Sequence, residues 1–288
     1  MLNVNESRVQ QLARVLSLLD VSFYKKLEES DPQYKAIRNL CNICDPYGVP
    51  LLVSLNALVS YRLSCKGEVY WQEFSNFIQN YCKSASLTEF NDYITAVIDF
   101  LNVSQCNISL RKTKVKRLMK LRDISKDTMS VFKMFTRDPE EFRIWLSEHL
   151  NTELDSKTIV FAVKMYYYGC RACLNVDMTL PFTIPIPVDR RVALISYTSG
   201  LVSCYSDNPI DAIMRRQKVI RKVWSKIAYL CNTPPLHLDS LLWIVGGHIR
   251  RGKPIARDRI VNELVKCVSE EYKDKIALVV GELTVQSL

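Results

Sequence analysis

Residues 155–170, DSKTIVFAVKMYYYGC, read as one continuous helix. Ile159, Val160, Ala162 and Val163 fall at three- and four-residue intervals, which line one apolar face, and nothing interrupts the backbone before Gly169. Lys157 and Lys164 are seven residues apart, two helical turns, so both lie on one side. Working outward, helical periodicity recurs along the chain while alternating strand patterns hardly occur, and only eight glycines punctuate 288 residues. The chain reads as all-α. Four times a capping or polar residue precedes a proline suited to the first helical position: Asp31-Pro32, Asp138-Pro139, Asn208-Pro209 and Thr233-Pro234-Pro235. Ser86 and Glu89 have capping-box spacing. Helices are expected over 6–29, 32–44, 50–64, 69–82, 87–103, 108–121, 127–135, 139–150, 156–174, 189–199, 209–231, 236–248 and 257–268, with 276–288 either a short helix or a tail. The one long irregular stretch is 175–188, NVDMTLPFTIPIPV, where three prolines in seven residues enforce an extended path into Asp189.

A chain of this length makes two average domains or one large one, enough to bury a core without a cofactor or metal to support it. Hydrophobic residues at 48% and charged residues at 24% exclude a disordered or fibrous class. No apolar run approaches the roughly 18 residues of a bilayer span, which argues against a membrane protein. The opening MLNVNESRVQQLARV lacks the basic-then-apolar order of a secretory signal, so a cytoplasmic location is expected.

Lys and Arg outnumber Asp and Glu 39 to 30, for a net charge of +9. The excess clusters: Arg111 to Arg122, RKTKVKRLMKLR, holds seven cations in twelve residues, and Arg215–Lys226 and Arg250–Arg259 are looser versions. Any one run reads equally as a solvated helix face, but three without matching acidic segments tilt toward a polyanionic, phosphate-bearing partner. The ten cysteines include two C-x2-C pairs, Cys41/Cys44 and Cys170/Cys173. Both sit in helical segments, where thiols three apart share a face and pack well, so core packing is expected rather than zinc. Only Cys267 lies beyond Cys231, which leaves no C-terminal iron–sulfur cluster, and His149, His237 and His248 are too far apart for a metal site. Disulfides stay open for a hyperthermophilic source.

Taken alone, Lys157 is a first-turn surface lysine, Lys164 a snorkelling one, Asp189 an N-cap, and Trp71 and Trp243 core aromatics. A resemblance changes that balance. The segments DPQYKA (31–36), LNALVSYRLSCKGEVYWQEF (55–74), SKTIVFAVKMYYYG (156–169), LPFTIPIPVDRRVA (180–193) and TPPLHLDSLLWIVGG (233–247) resemble, in order, the archaeal 8-oxoguanine DNA glycosylase/AP lyase family, AGOG, a branch of the helix-hairpin-helix glycosylase superfamily.

The resemblance implies one glycosylase unit over 1–288, built of two intertwined helical subdomains with the site in the cleft between them and a catalytic hairpin region at about 139–199. It implies a monomeric base-excision enzyme acting on DNA that contains 8-oxoguanine, with no metal and no other cofactor. Lys157 takes the place of the nucleophile that attacks C1′, and Asp189 that of the assisting carboxylate. Gln33, Ser60, Trp71, Phe161, Lys164, Pro187, Asp239 and Trp243 take the places of base contacts. An amine attacks only when neutral, and free lysine titrates near ~10.4, so the site is expected to counter that by desolvation or a nearby cation, which Lys164 and the apolar helix face could supply. The damaged nucleotide must leave the stack, which calls for aromatic platforms such as Trp71 and Trp243. In 8-oxoguanine N7 becomes a donor, so an amide oxygen such as that of Gln33 could discriminate by one hydrogen bond. The superfamily's glycine-rich hairpin turn is missing: the segment before the lysine reads LNTELDSKT. Two alternatives stay open, a helix-hairpin-helix glycosylase for another lesion and a non-catalytic helical DNA-binding protein.

Overall fold

A computed structural model describes residues 2–122, 124, 135 and 138–287. The described chain is helical apart from one two-stranded ribbon, as expected. It forms two compact units: Met1–Ser30 with Thr179–Leu288 is unit 1, and Asp31–Met178 is unit 2. Among the described residues no helix is long and apolar enough to cross a membrane.

Unit 2 holds α3 (Pro32–Arg38), α4 (Val49–Val59), α5 (Gly67–Ser84), α6 (Phe90–Val103), α7 (Arg111–Met119), α8 (Pro139–Leu150) and α9 (Lys157–Leu174). Every residue of α4 is buried, so it is a central rod packed chiefly by α9, α6 and α7. The helix foreseen at 155–170 is α9, and it crosses α4 where Gly169 meets Pro50. A Cβ at Gly169 would stand 2.6 Å from the Pro50 Cα, so only glycine allows that approach. Three disulfides join segments of this unit: Cys41–Cys173, Cys44–Cys82 and Cys65–Cys106. Of the C-x2-C pairs, Cys44 and Cys170 are buried as expected, and Cys170 alone keeps a free thiol, which burial drives up to about 12. Cys41, Cys44 and Cys173 reach partners on other segments because each lies near a helix end, where the chain turns toward a neighbour.

Unit 1 is assembled from both ends of the chain: α1 (Glu6–Leu16), α2 (Val21–Glu28), α10 (Arg190–Thr198), α11 (Pro209–Met214), α12 (Gln217–Leu230), α13 (Pro235–His248), α14 (Arg257–Cys267), a 3-10 turn (Glu270–Tyr272) and α15 (Lys273–Leu283). One apolar cluster, with Leu12, Leu16, Trp224, Ile227, Leu241, Leu242 and Val280 among its members, fills the space between them. The N-terminus is pinned by an antiparallel pair, β1 (Leu2–Val4) with β2 (Val202–Cys204), in the register Asn3↔Ser203. Arg8 adds an ion pair to Glu282 at 2.6 Å and a hydrogen bond to the Ser199 carbonyl at 2.8 Å.

Several expected helices are divided or shortened. The 6–29 helix breaks at 17–20 because the Asp20 carboxylate accepts the Phe23 N–H and starts α2. The 209–231 helix breaks at Arg215 and Arg216, and 32–44 ends at Arg38, beyond which 40–44 forms turns. The 50–64 helix ends at Val59, followed by Arg62 at positive φ. At α6 the capping box is Glu89 with Asp92, not Ser86 with Glu89: Asp92 Oδ2 accepts from the Glu89 N–H at 2.8 Å and the Thr88 N–H at 2.9 Å. Asp138 and Asn208 cap α8 and α11 as expected, whereas Asp31 makes no cap hydrogen bond. The 276–288 alternative resolves in favour of helix, as part of α15. The 127–135 helix lies outside the described residues except for Phe135.

Candidate active site

In unit 2 the chain enters α9 through a hairpin without glycine. Asn151 takes the left-handed conformation at the end of α8 (φ 47°), a role asparagine fills when glycine is absent, and the Thr152 N–H donates to the Ser147 carbonyl at 3.0 Å. The Ser147 hydroxyl donates in turn to the Thr152 carbonyl at 2.6 Å. Arg143, buried in α8, reaches Asp155 at 2.9 Å and Glu140 at 2.5 Å, which fixes the far side of the turn. That arginine escaped the sequence reading, although its spacing to Glu140 was a visible signal.

The hairpin delivers Lys157 to the first position of α9, solvent-exposed. The enclosing apolar face anticipated for it is not there: Ile159, Val160, Ala162 and Val163 are buried toward the unit's core while the first turn stands outside. The amine sits instead at the positive end of an 18-residue helix. Arg117 donates to the Thr158 hydroxyl at 2.9 Å and adds a fixed cation beside the same turn.

Two turns along, Lys164 is buried rather than snorkelling, with Nζ 3.7 Å from Asp31 Oδ2 and 5.4 Å from the centre of the Tyr168 ring. The Tyr168 hydroxyl donates to the same carboxylate oxygen. Asp31 immediately precedes α3, so this buried group ties the middle of the lysine helix to the first turn that carries Gln33, which is half-buried. A charge balanced by a carboxylate gives the neighbouring lysine less help than an unpaired cation would. Trp71 and Phe161 are brought together edge to face, centroids 6.3 Å apart. Trp71 is only 2% exposed and also packs on Phe74, so the partly exposed ring of the pair is Phe161. Ser60 closes α4, its hydroxyl donating to the Ala57 carbonyl at 3.0 Å.

The remaining predicted site residues belong to unit 1. The proline ladder runs buried from Ile184 to Val188, Pro187 included, and presents Asp189 at the start of α10. Asp189 Oδ1 accepts the N–H groups of Arg191 at 2.8 Å and Val192 at 3.0 Å, which fixes the carboxylate. Asp239 and Trp243, four apart on α13, are both half-buried and share a face. The Arg191 guanidinium lies 3.9 Å from the centre of the Trp243 ring and donates to the Trp243 carbonyl at 3.3 Å, joining the Asp189 helix to that indole. Gly246 permits the approach, since a Cβ there would meet the Arg191 Cβ at 3.0 Å. His237 is fully buried: its Nε2 accepts the Leu180 N–H at 3.1 Å, so the proton resides on Nδ1, which donates to Glu28 at 2.7 Å. This anchors the start of the proline ladder to α13 and α2. Nothing in the spacing of Glu28 and His237 signalled it.

The basic runs are partly structural. In Arg111–Arg122, Lys114 is buried and donates to the Tyr61 carbonyl at 2.6 Å and to the Asn107 side chain, and burial lowers its ammonium to about 8, with Arg62 adding to the effect. Arg111 and Lys120 donate to the Ser104 and Leu150 carbonyls. Lys112, Lys116 and Arg122 remain exposed. Arg257 of the third run binds the Thr284 carbonyl at 2.5 Å. Among the described residues no group of three or more His, Cys, Asp or Glu is placed to hold a metal ion.

A family model described as AGOG, N-glycosylase/DNA lyase, matches residues 13–279. The N-glycosylase/DNA lyase of Pyrobaculum aerophilum is 32% identical over 254 residues, 86% of this chain and 90% of that one. That of Methanococcus maripaludis is 32% identical over 247 residues, 84% of this chain and 89% of that one. A crystal structure of Pa-AGOG, an 8-oxoguanine DNA glycosylase from Pyrobaculum aerophilum complexed with 8-oxoguanosine, resembles this fold with TM-score 0.72 at 28% identity, covering 95% of this chain and 97% of that one.

Proposed function

The chain belongs to the AGOG family of N-glycosylase/DNA lyases, and from that premise we propose that it excises 8-oxoguanine from DNA, with Lys157 as nucleophile and Asp189 as the assisting carboxylate. The carrying observation is Lys157 itself, an accessible amine at the positive end of a helix that a rigid hairpin aims. In its neutral form the amine attacks C1′ of the everted nucleoside, and the bond to the base breaks as the base leaves with its electron pair. The covalent amine then opens the sugar to a Schiff base, and loss of a C2′ proton expels the 3′-phosphate.

Asp189 stabilises the positive charge that develops at C1′. Two amides fix its Oδ1, so the carboxylate needs no reorganisation at the moment of reaction. Because Lys157 is exposed in the free protein, the everted nucleotide supplies the enclosure that the chain alone does not. Lys164, expected as a base contact, is held by Asp31 and acts as a positioning group. The half-buried Phe161, Asp239 and Trp243, together with Gln33, supply stacking and polar edges for the extruded base, and the exposed members of the basic runs grip phosphates without reading sequence. We infer that the protein acts as a monomer and that none of these steps requires a metal.

The test is borohydride trapping on an 8-oxoguanine duplex. Wild type gives a covalent adduct, Lys157→Gln gives none, and Asp189→Asn binds the duplex but loses most turnover. An undiminished adduct with Lys157→Gln overturns the assignment.

A further inference from the structure

Unit 1 carries a pocket whose aromatic ring and apolar lining none of the steps above uses, and whose two arginines open the second basic run. It has a volume of about 200 Å³ and is lined by Leu2, Cys204, Tyr205, Ala212, Arg215 and Arg216. Its composition is unusual for a surface dent. Tyr205 is 95% exposed, so its ring contributes almost nothing to the core. Arg215 and Arg216 are both exposed, and no carboxylate pairs with either among the described residues. The acid nearest them in sequence, Asp211, is already engaged: Arg190 donates to its Oδ1 at 2.7 Å and the Asn208 amide to its Oδ2 at 2.7 Å. The two guanidiniums also begin the Arg215–Lys226 run, six cations without an acid.

The pocket's backbone is fixed. Pairing of β1 with β2 holds Leu2 opposite Cys204, and the Cys204 thiol donates to the Pro209 carbonyl at 3.7 Å. The break between α11 and α12 turns Arg215 and Arg216 out together, with Arg216 as the N-cap of α12. An apolar floor, one free aromatic face and two forked donors at a single opening match a nucleotide unit: a base stacks on the ring, and its phosphate takes the guanidiniums.

The pocket is linked to the proposed carboxylate within the same unit through one ion pair and one helical turn. Arg190 follows Asp189 directly and pairs with Asp211, and Arg215 stands one helical turn beyond Asp211, about 6 Å of rise. We propose that this pocket holds one nucleotide of the DNA strand flanking the lesion, its base on Tyr205 and its phosphate between Arg215 and Arg216. The proposal rests on DNA being the substrate, and the test below separates the two.

Anisotropy titrations of a lesion-bearing duplex, from about 50 to 200 mM salt, are run beside borohydride trapping at saturating DNA. The double variant Arg215→Ala with Arg216→Ala binds about tenfold more weakly, and its log–log salt slope falls by about one, the signature of one lost phosphate contact. Tyr205→Ala also binds about tenfold more weakly with the slope unchanged, and Tyr205→Phe restores affinity because the ring face is what matters. Trapping of each variant at saturating DNA separates a binding defect from a loss of the chemistry. Unchanged affinity in both the double variant and Tyr205→Ala, or a Tyr205→Phe protein as weak as Tyr205→Ala, overturns the pocket. A wild-type protein that binds DNA through these residues yet forms no adduct counts against the catalytic assignment and leaves the pocket standing.

Discussion

Unit 2 closes its chain covalently at three places, whereas unit 1, drawn from both ends of the sequence, has no cross-link among its described residues and depends on one apolar cluster, a three-residue strand pair and the Arg8–Glu282 contact. The covalent closures lie along the elements that carry proposed pocket residues. Cys41–Cys173 joins the chain just after the Gln33 helix to the last turn of the Lys157 helix, Cys44–Cys82 reaches the helix of Trp71, and Cys65 follows Ser60 closely. Unit 1 positions Asp189 and Trp243 by noncovalent means alone, through the capped start of α10 and the Arg191 stack. The lesson is that two routes to preorganisation coexist in one chain: loop closure that limits the unfolded ensemble, and a core whose burial outweighs the entropy of a discontinuous assembly.

The sharpest break should come from the unlinked unit. Trp224 is fully buried and donates to the Ser196 hydroxyl at 2.9 Å, so Trp224→Ala should cost roughly 3–5 kcal/mol. Hydrogen exchange by mass spectrometry would then show unit 1 amides deprotected while those of unit 2 hold. Equal deprotection of both units would dissolve the distinction. Next in size, replacing Cys41 and Cys173 by serine opens a 132-residue closure and should remove about 3 kcal/mol, read as a lower denaturation midpoint. Reductant should lower the wild-type midpoint and leave a variant lacking all six linked cysteines unmoved. Asp138→Ala deletes the α8 cap, with an expected loss of about 1 kcal/mol confined to the hairpin of unit 2. Lys226→Ala, which breaks an exposed pair with Glu6 in unit 1, should cost less than about 1 kcal/mol and fade with salt.

Lys114 offers a comparison by pH. Its folded value, about 8, lies below the 10.5 of an ordinary lysine. Between these values the unfolded chain binds the extra proton, so this group penalises folding fully below pH 8 and releases the penalty as pH rises toward 10.5. Relative to Lys114→Met, wild-type stability should therefore rise across that window. A difference that stays flat would contradict the burial argument.

The helices were legible because periodicity and proline-marked starts are local, and so were Lys157 at the head of α9 and Asp189 as a helix cap. The helix breaks at Asp20 and at Arg215–Arg216 were not: the first follows from the Asp20 carboxylate turning back onto the Phe23 N–H, and nothing in the structure explains the second. The disulfide partners were hidden because Cys41 and Cys173 meet only after α9 folds back, and spacing pointed to helix faces instead. Asp31 looked like a cap and became the partner of buried Lys164, a contact 133 residues away in sequence. Family resemblance, not residue pattern, gave the base contacts; the sequence alone read Trp71 as a core aromatic, and its burial fits that.

Which amine becomes covalent decides the assignment. Peptide mapping of the borohydride-reduced adduct by mass spectrometry should place the reduced sugar on Lys157, in the peptide that opens α9. A sugar found on Lys164 or elsewhere, with the Lys157 peptide unmodified, would contradict it.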